Sequence, residues 1–298
     1  MSNKTMPGQP KPIPPPAMND NFKSFSVKLL GRLLREYKLS TFHCDDDGET
    51  KHWPSHLTIC GLGSLLSEKS ARRTFPDLVN FRKGFVKNYV RCFNLVAISS
   101  LQFGDLEKNK IASLSAVSNE ELSEETFQSI TSKQGLDYVE MSCTLFEIPL
   151  SPETWHSYLT REHRYDFRFV PVHSQDGKEN TCQHALICYQ YNDECYRTKR
   201  CCSYENEFYE RVTQHFSGQL WYHTSVAEVG VIPIKPIPKY LELCFNAALE
   251  MGLECLKNFL ITSVMADGRT LLLEYIRTEE PDLYEKYIIA NSLESKKN

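Results

Sequence analysis

No run in this chain is apolar for the ~18 residues that a membrane-crossing helix needs, and the first residues lack the apolar core of a secretory signal. Charge of one sign is scarce as well. The 34 Lys and Arg nearly match the 38 Asp and Glu, leaving a net charge of -4, which gives no global pull toward nucleic acid or an anionic membrane. Internal repeats are missing, which excludes a repeat array. These absences predict a cytoplasmic protein whose partners include neither nucleic acid nor a membrane.

Several motifs are absent too. Gly61 and Gly63 would need a third glycine at position 66 to complete a dinucleotide fingerprint, and Leu66 stands there. No Gly-Lys-Ser/Thr follows, so there is no P-loop, and Ser64 lacks the flanks of a hydrolase nucleophile. Asp45, Asp46, Asp47, Gly48 and Glu49 do not follow the EF-hand ligand order and read as a solvated loop. Eleven cysteines are many, but the number is odd, and Cys60, Cys92, Cys143, Cys244 and Cys255 lie singly in apolar surroundings. That favours reduced core thiols. The cluster of Cys182, Cys188, Cys195, Cys201 and Cys202 with His184 has metal-ligating residue types, but its spacings match no common zinc module. No metal site is predicted.

What the chain does have is punctuation. Residues 1–22 are proline-rich, with Pro7, Pro10, Pro12, Pro14, Pro15 and Pro16, and read as a disordered tail. Phe25 to Tyr37 has apolar residues near helical spacing; with the acidic loop it makes a second segment, 23–53. The main domain is expected over 54–286, including a C-terminal helical extension, and a charged tail over 287–298. Within the domain, Phe85 to Ser99 reads as one or two strands and Ser113 to Ser129 as a surface insertion or exposed helix. Asp137 to Ile148, Tyr165 to Val172 and Thr181 to Gln190 read as strands. Ser151-Pro152-Glu153-Thr154 signals the cap of a helix running to Thr160. Tyr240 to Phe259 presents one buried helical face, and Thr270 to Ile276 a last short helix. Strands in the middle with helices at both ends predict an α+β fold.

Two constellations carry chemistry. Leu57 to Ser67 is a short apolar strand that ends in Gly61-Leu62-Gly63-Ser64-Leu65 and opens a helix. Glycine permits positive φ or close approach, and the unpaired N–H groups of a helix start suit a carboxylate or phosphate. A turn that needs glycine for geometry alone is the competing explanation. The second is Tyr158-Leu159-Thr160-Arg161-Glu162-His163-Arg164-Tyr165, where a helix hands over to a strand and side chains can enter a cleft. For a glutamate beside two arginines, a charged surface corner is the stronger explanation on these residues alone. His163 could titrate near neutrality, but nothing pairs it with a nucleophile.

Taken in order, Cys60 to Leu65 resembles the glycine-serine substrate loop of the gamma-glutamylcyclotransferase superfamily. Tyr158-Leu159, Arg161-Glu162 and Tyr165 resemble the segment with that superfamily's essential glutamate, most of all in its glutathione-specific ChaC branch. The resemblance spans roughly Leu57 to Val172. It implies a small mixed β-barrel flanked by helices, and release of 5-oxoproline from a gamma-glutamyl peptide or amine, possibly glutathione, without a cofactor. It also implies Glu162 as general acid/base and a cradle for the glutamyl α-carboxylate at Gly61, Leu62, Gly63, Ser64 and Leu65, with Tyr165 lining the pocket. A carboxylate is a weak base at its ordinary pKa of ~4.3, so this role needs Glu162 desolvated with Arg161 and Arg164 pointing away. The alternative is a non-catalytic member of the fold that binds a metabolite or a protein, suggested by leucine at 62, where the family commonly has an aromatic, and by the large additions at both ends.

Overall fold

A computed structural model describes residues 20–36, 54–174, 183–201, 205–222 and 233–291. The proline-rich tail up to residue 19, the acidic loop and Cys182 and Cys202 lie outside the described residues. The class is α+β: a mixed nine-stranded sheet with helices packed around it. Its strands are β1 (His56–Gly61), β2 (Val79–Lys87), β3 (Tyr89–Val96), β4 (Lys110–Ser118), β5 (Glu140–Pro149), β6 (Asp166–Ser174), β7 (Gln183–Tyr189), β8 (Lys235–Pro236) and β9 (Ser263–Met265).

β1 is the pivot of the sheet. It runs antiparallel to β5, with Ile59 opposite Phe146, and parallel to β7, with Ile59 opposite Leu186. Since β5 also pairs β2, β2 pairs β6 and β6 pairs β7, the circuit of pairings returns to β1. From β7 the sheet continues through β4 and β3 to β9. Asn88, at φ 64, carries the chain from β2 into β3; asparagine tolerates that left-handed geometry better than most residues.

Four helices matter here: α1 (Asp20–Glu36), α2 (Glu68–Arg72), α3 (Glu124–Gln134) and α4 (Pro152–Arg161). In α1, Leu29, Leu30, Leu33 and Leu34 are buried, as spacings of three and four dictate. At about 1.5–3 kcal/mol per buried leucine, this face holds the helix to the domain. It packs on α4, where Trp155 Nε1 donates to Ser26 O at 2.7 Å. The expected cap of α4 is present: Ser151 Oγ accepts from Thr154 N at 3.2 Å, with Pro152 at the first helical position. Trp155, Tyr158 and Leu159 point inward among Phe75, Phe146 and Phe167, with the Tyr158 and Phe167 rings 5.5 Å apart.

Two expectations change. Ser113 to Ser118 is part of β4, buried from Ser113 to Val117, rather than a surface insertion, and it is followed by a single 3-10 turn at 119–121 and a helix over 124–134. Serine passed for exposure, but Ser115 Oγ donates to buried Asn94 Oδ1 at 2.7 Å and Ser113 Oγ to Leu95 O at 3.3 Å, which satisfies both hydroxyls inside the sheet. The stretch 240–259 is two helices, Pro238–Glu250 and Leu253–Ile261, because Gly252 at φ 108 breaks it. Tyr287 and Ile288 are buried in the same core as Cys60 and β3. Among the described residues, no helix is long and apolar enough to cross a membrane.

Candidate functional site

After β1 the chain makes one tight turn, Ser64–Leu66, closed by Leu66 N donating to Gly63 O at 2.9 Å. The N–H groups of Ser64 and Leu65 precede that bond, so the turn itself leaves them unused. Neither Gly61 nor Gly63 has a positive φ; both are glycine for space. A Cβ on Gly61 would sit 2.7 Å from Leu65 O, and one on Gly63 would sit 2.9 Å from Tyr240 Oη. Thr144 Oγ1, from β5, donates to Leu65 O at 2.8 Å and so ties the far end of the turn to the sheet.

The opposite wall is the junction of α4 and β6. Glu162 caps α4, its N–H bonded to Tyr158 O at 2.9 Å, and its own carbonyl accepts from Tyr165 N at 3.0 Å. That tight turn swings the carboxyl group back toward the glycine corner, where its side chain keeps only 12% of its exposure. A cavity of about 210 Å³ lies between the walls. Leu62, Gly63, Ser64, Leu65, Glu162 and Tyr165 all line it, whereas Gly61 lies behind the lining.

The condition that the arginines point away from Glu162 is not met. Arg161 and Arg164 both line the cavity. Arg161 Nε contacts Glu162 Oε1 at 2.7 Å, its Nη1 donates to Thr74 Oγ1, and its Nη2 reaches Ser64 Oγ at 3.5 Å. One guanidinium therefore links the two walls. Adjacent residues at a helix end can meet in this way because the chain leaves helical geometry there. Arg164 Nη2 donates to Ser99 Oγ at 3.4 Å. The cavity thus carries two cations and one anion, a balance that suits an anionic ligand.

His163, between these residues, faces the other way. It is buried, with Nδ1 3.0 Å from Tyr196 Oη and Nε2 3.2 Å from Glu207 Oε1. Burial, helped by the charges of Arg211, Arg200 and Arg164, holds it well below the ordinary histidine range. The Glu207 carboxylate does little to oppose this, since Arg211 Nε already engages it at 2.9 Å. His163 is a structural imidazole, not a base for the cavity.

Sequence reasoning missed several lining residues. Tyr240 comes from the first turn of the helix that begins at Pro238, and Ser113 and Leu114 from β4. Pro236 and Pro238 precede that helix without showing where Tyr240 points, and the alternation around Leu114 is the one sign of a strand. Burial pushes the Tyr165 and Tyr240 hydroxyls up, so both are donors and not bases, and Tyr165 Oη donates to Leu114 O at 3.0 Å. Burial likewise raises the cavity thiols Cys60 and Cys188; they are protonated and unreactive. No group of three or more His, Cys, Asp or Glu side chains is placed to hold a metal among the described residues.

No protein-family model matches the chain, and no curated protein does. Among solved structures, a gamma-glutamyl cyclotransferase is similar at 13% identity and a TM-score of 0.31, over 51% of this chain and 80% of that one. A gamma-glutamyl cyclotransferase specific to glutathione, from yeast, is similar at 14% identity and a TM-score of 0.32, over 46% and 67%. An uncharacterized protein from Homo sapiens is similar at 13% identity and a TM-score of 0.31, over 52% and 81%. Likeness at this level leaves the activity to be read from the site.

Proposed function

We propose that the protein is a cyclotransferase that releases 5-oxoproline from gamma-glutamyl peptides or gamma-glutamylamines. One observation carries this: Glu162 and the turn Gly63 to Leu65 line a single cavity of about 210 Å³, bridged by Arg161. The unused N–H groups of Ser64 and Leu65, with Arg161 beside them, receive the glutamyl α-carboxylate. The substrate's α-amine then attacks its own γ-carbonyl. A C–N bond closes the five-membered ring, the original amide C–N bond breaks, and no water or cofactor is consumed. Glu162 takes a proton from the attacking amine and returns one to the leaving amine. Proximity supplies much of the rate, and a positioned acid/base adds about 10²–10⁴.

The Arg161–Glu162 pair has a definite place in this scheme. An arriving α-carboxylate engages the same guanidinium and frees the Glu162 carboxylate to meet the α-amine. The small mixed barrel belongs to the same proposal, supported by the pairing circuit through β1, β5, β2, β6 and β7. The deciding experiment is Glu162→Gln: folding stays intact and 5-oxoproline release, followed by mass spectrometry, falls by at least about 10². Wild-type turnover in this variant sinks the assignment.

The ion pair also favours a second reading, a non-catalytic module in which Glu162 serves only to hold Arg161 for an anionic metabolite. A panel of gamma-glutamyl peptides and amines separates the two, because a folded wild-type protein that converts none of them is a binder.

A further inference from the structure

Arg91, in β3, is fully buried, bonds the glycine turn at Leu62 and is not among the residues that line the cavity. Its Nε donates to Leu62 O at 2.8 Å, its Nη1 to Thr262 Oγ1 at 2.9 Å and its Nη2 to Ser142 O. The guanidinium carbon also lies 4.5 Å from the centre of the Phe259 ring. Among the described residues no carboxylate pairs with it, which is unusual: a buried cation without a counter-ion is expensive to keep. A neutral side chain could tie the same strands together at lower cost. What only a cation supplies is positive charge under the turn and a fork that fixes one carbonyl in a set direction.

That carbonyl belongs to Leu62, inside the turn. The Leu62–Gly63 peptide bond is trans, so the Leu62 C=O and the Gly63 N–H in one peptide plane point in opposite directions. With the carbonyl held on Arg91 in the core, the Gly63 N–H is turned away from the core. Two neighbours that a Cβ on Gly63 would meet, Tyr240 and Leu114, line the cavity. We propose that Arg91 is a positioning residue: it aims the backbone donors of the turn at the α-carboxylate, given the carboxylate role proposed above, and supplies the charge that the bound anion faces. It touches no substrate atom and acts through the Leu62–Gly63 peptide.

The test uses the full-length protein and two probes, gamma-L-glutamyl-L-alanine and its analogue with the α-carboxylate replaced by a primary carboxamide. Wild type is expected to prefer the acid by at least about tenfold in kcat/KM. In Arg91→Lys the KM for the acid rises about tenfold while kcat and the carboxamide KM stay near wild type, so the preference shrinks. A merely structural role would lower kcat or active fraction for both probes alike, and that result overturns the proposal, as does an unchanged preference. If wild type converts neither probe, the function proposed above fails. Arg91 is then judged by hydrogen exchange at Leu66, whose N–H closes the turn. Exchange about tenfold faster in Arg91→Lys supports the positioning role, and an unchanged rate overturns it. If Arg91→Lys does not fold, Thr262→Val removes one anchor and keeps the charge. The same shifts are expected, in smaller size, and their absence overturns the proposal.

Discussion

The two walls of the cavity are held by different means. The glycine turn hangs from strands: the β1–β5 ladder, Thr144 Oγ1 on Leu65 O, and Arg91 on Leu62 O. Of these three anchors only Arg91 is charged, and Arg161 reaches the turn from the opposite wall. The junction that carries Glu162 hangs instead from ionisable groups in the segment 196–211. Arg200 Nη1 donates to His163 O at 3.0 Å, and Tyr196, Glu207 and Arg211 enclose the imidazole. One wall is set by backbone geometry, the other by a buried cluster whose charge states must be right. Acid and polar mutations should therefore separate the two walls, whereas packing mutations should strike whichever wall they touch.

The largest separation is expected from Trp155→Ala. Emptying the aromatic cluster behind α4 costs about 3–5 kcal/mol of stability, read as a lower denaturant midpoint, and loosens the Glu162 wall first. Hydrogen exchange should rise at residues 155–162 before it rises in β1; the reverse order breaks the comparison. Gly61→Ala attacks the other wall by overpacking against Thr144 and Leu65, at about 1–3 kcal/mol, with KM for a gamma-glutamyl probe rising and the pH profile of stability unchanged. Tyr196→Phe removes the hydroxyl beside His163 and costs about 1 kcal/mol. It should lower kcat more than it raises KM, because it disturbs the acid/base wall and not the cradle.

The smallest effect is a pH slope. His163 is held below its unfolded value, so the folded protein prefers the neutral ring. The stability this contributes is full above the unfolded pKa of ~6.5 and is lost as pH falls toward the folded one. At pH 6.5 the loss is only about 0.4 kcal/mol, from half-protonation of the unfolded ring, and it grows in more acid solution. Melting temperature against pH should show the slope in wild type, and His163→Gln should flatten it. An equal slope in both proteins would mean that His163 does not set the acid sensitivity of its wall.

How much of this was legible in the sequence follows the same division. The turn could be read because glycine beside an apolar strand has few meanings, and Ser151-Pro152-Glu153 placed α4 and with it Glu162. Arg161 could be named but not aimed, since spacing does not say which way a side chain leaves a helix end. Arg91 stood in a strand-like run with nothing to mark it, because its partners are the backbone of Leu62 and Ser142 and the hydroxyl of Thr262. β4 was misread because Ser113 and Ser115 look solvent-facing until Asn94 and Leu95 are set beside them. Contacts that rest on main-chain acceptors far along the chain leave little trace in residue type.

The double partnership of β1 has a consequence for how the molecule comes into being. β1 leaves the ribosome before both of its neighbours: β5 follows only after β4 and α3, and β7 later still. Until Leu186 arrives beside Ile59 the nascent glycine corner has an open flank, a long wait for an apolar strand with unpaired backbone. Helix α1, made just before, can shelter that strand in the meantime through Leu29, Leu30, Leu33 and Leu34, which share a core cluster with Leu57 and Ile59.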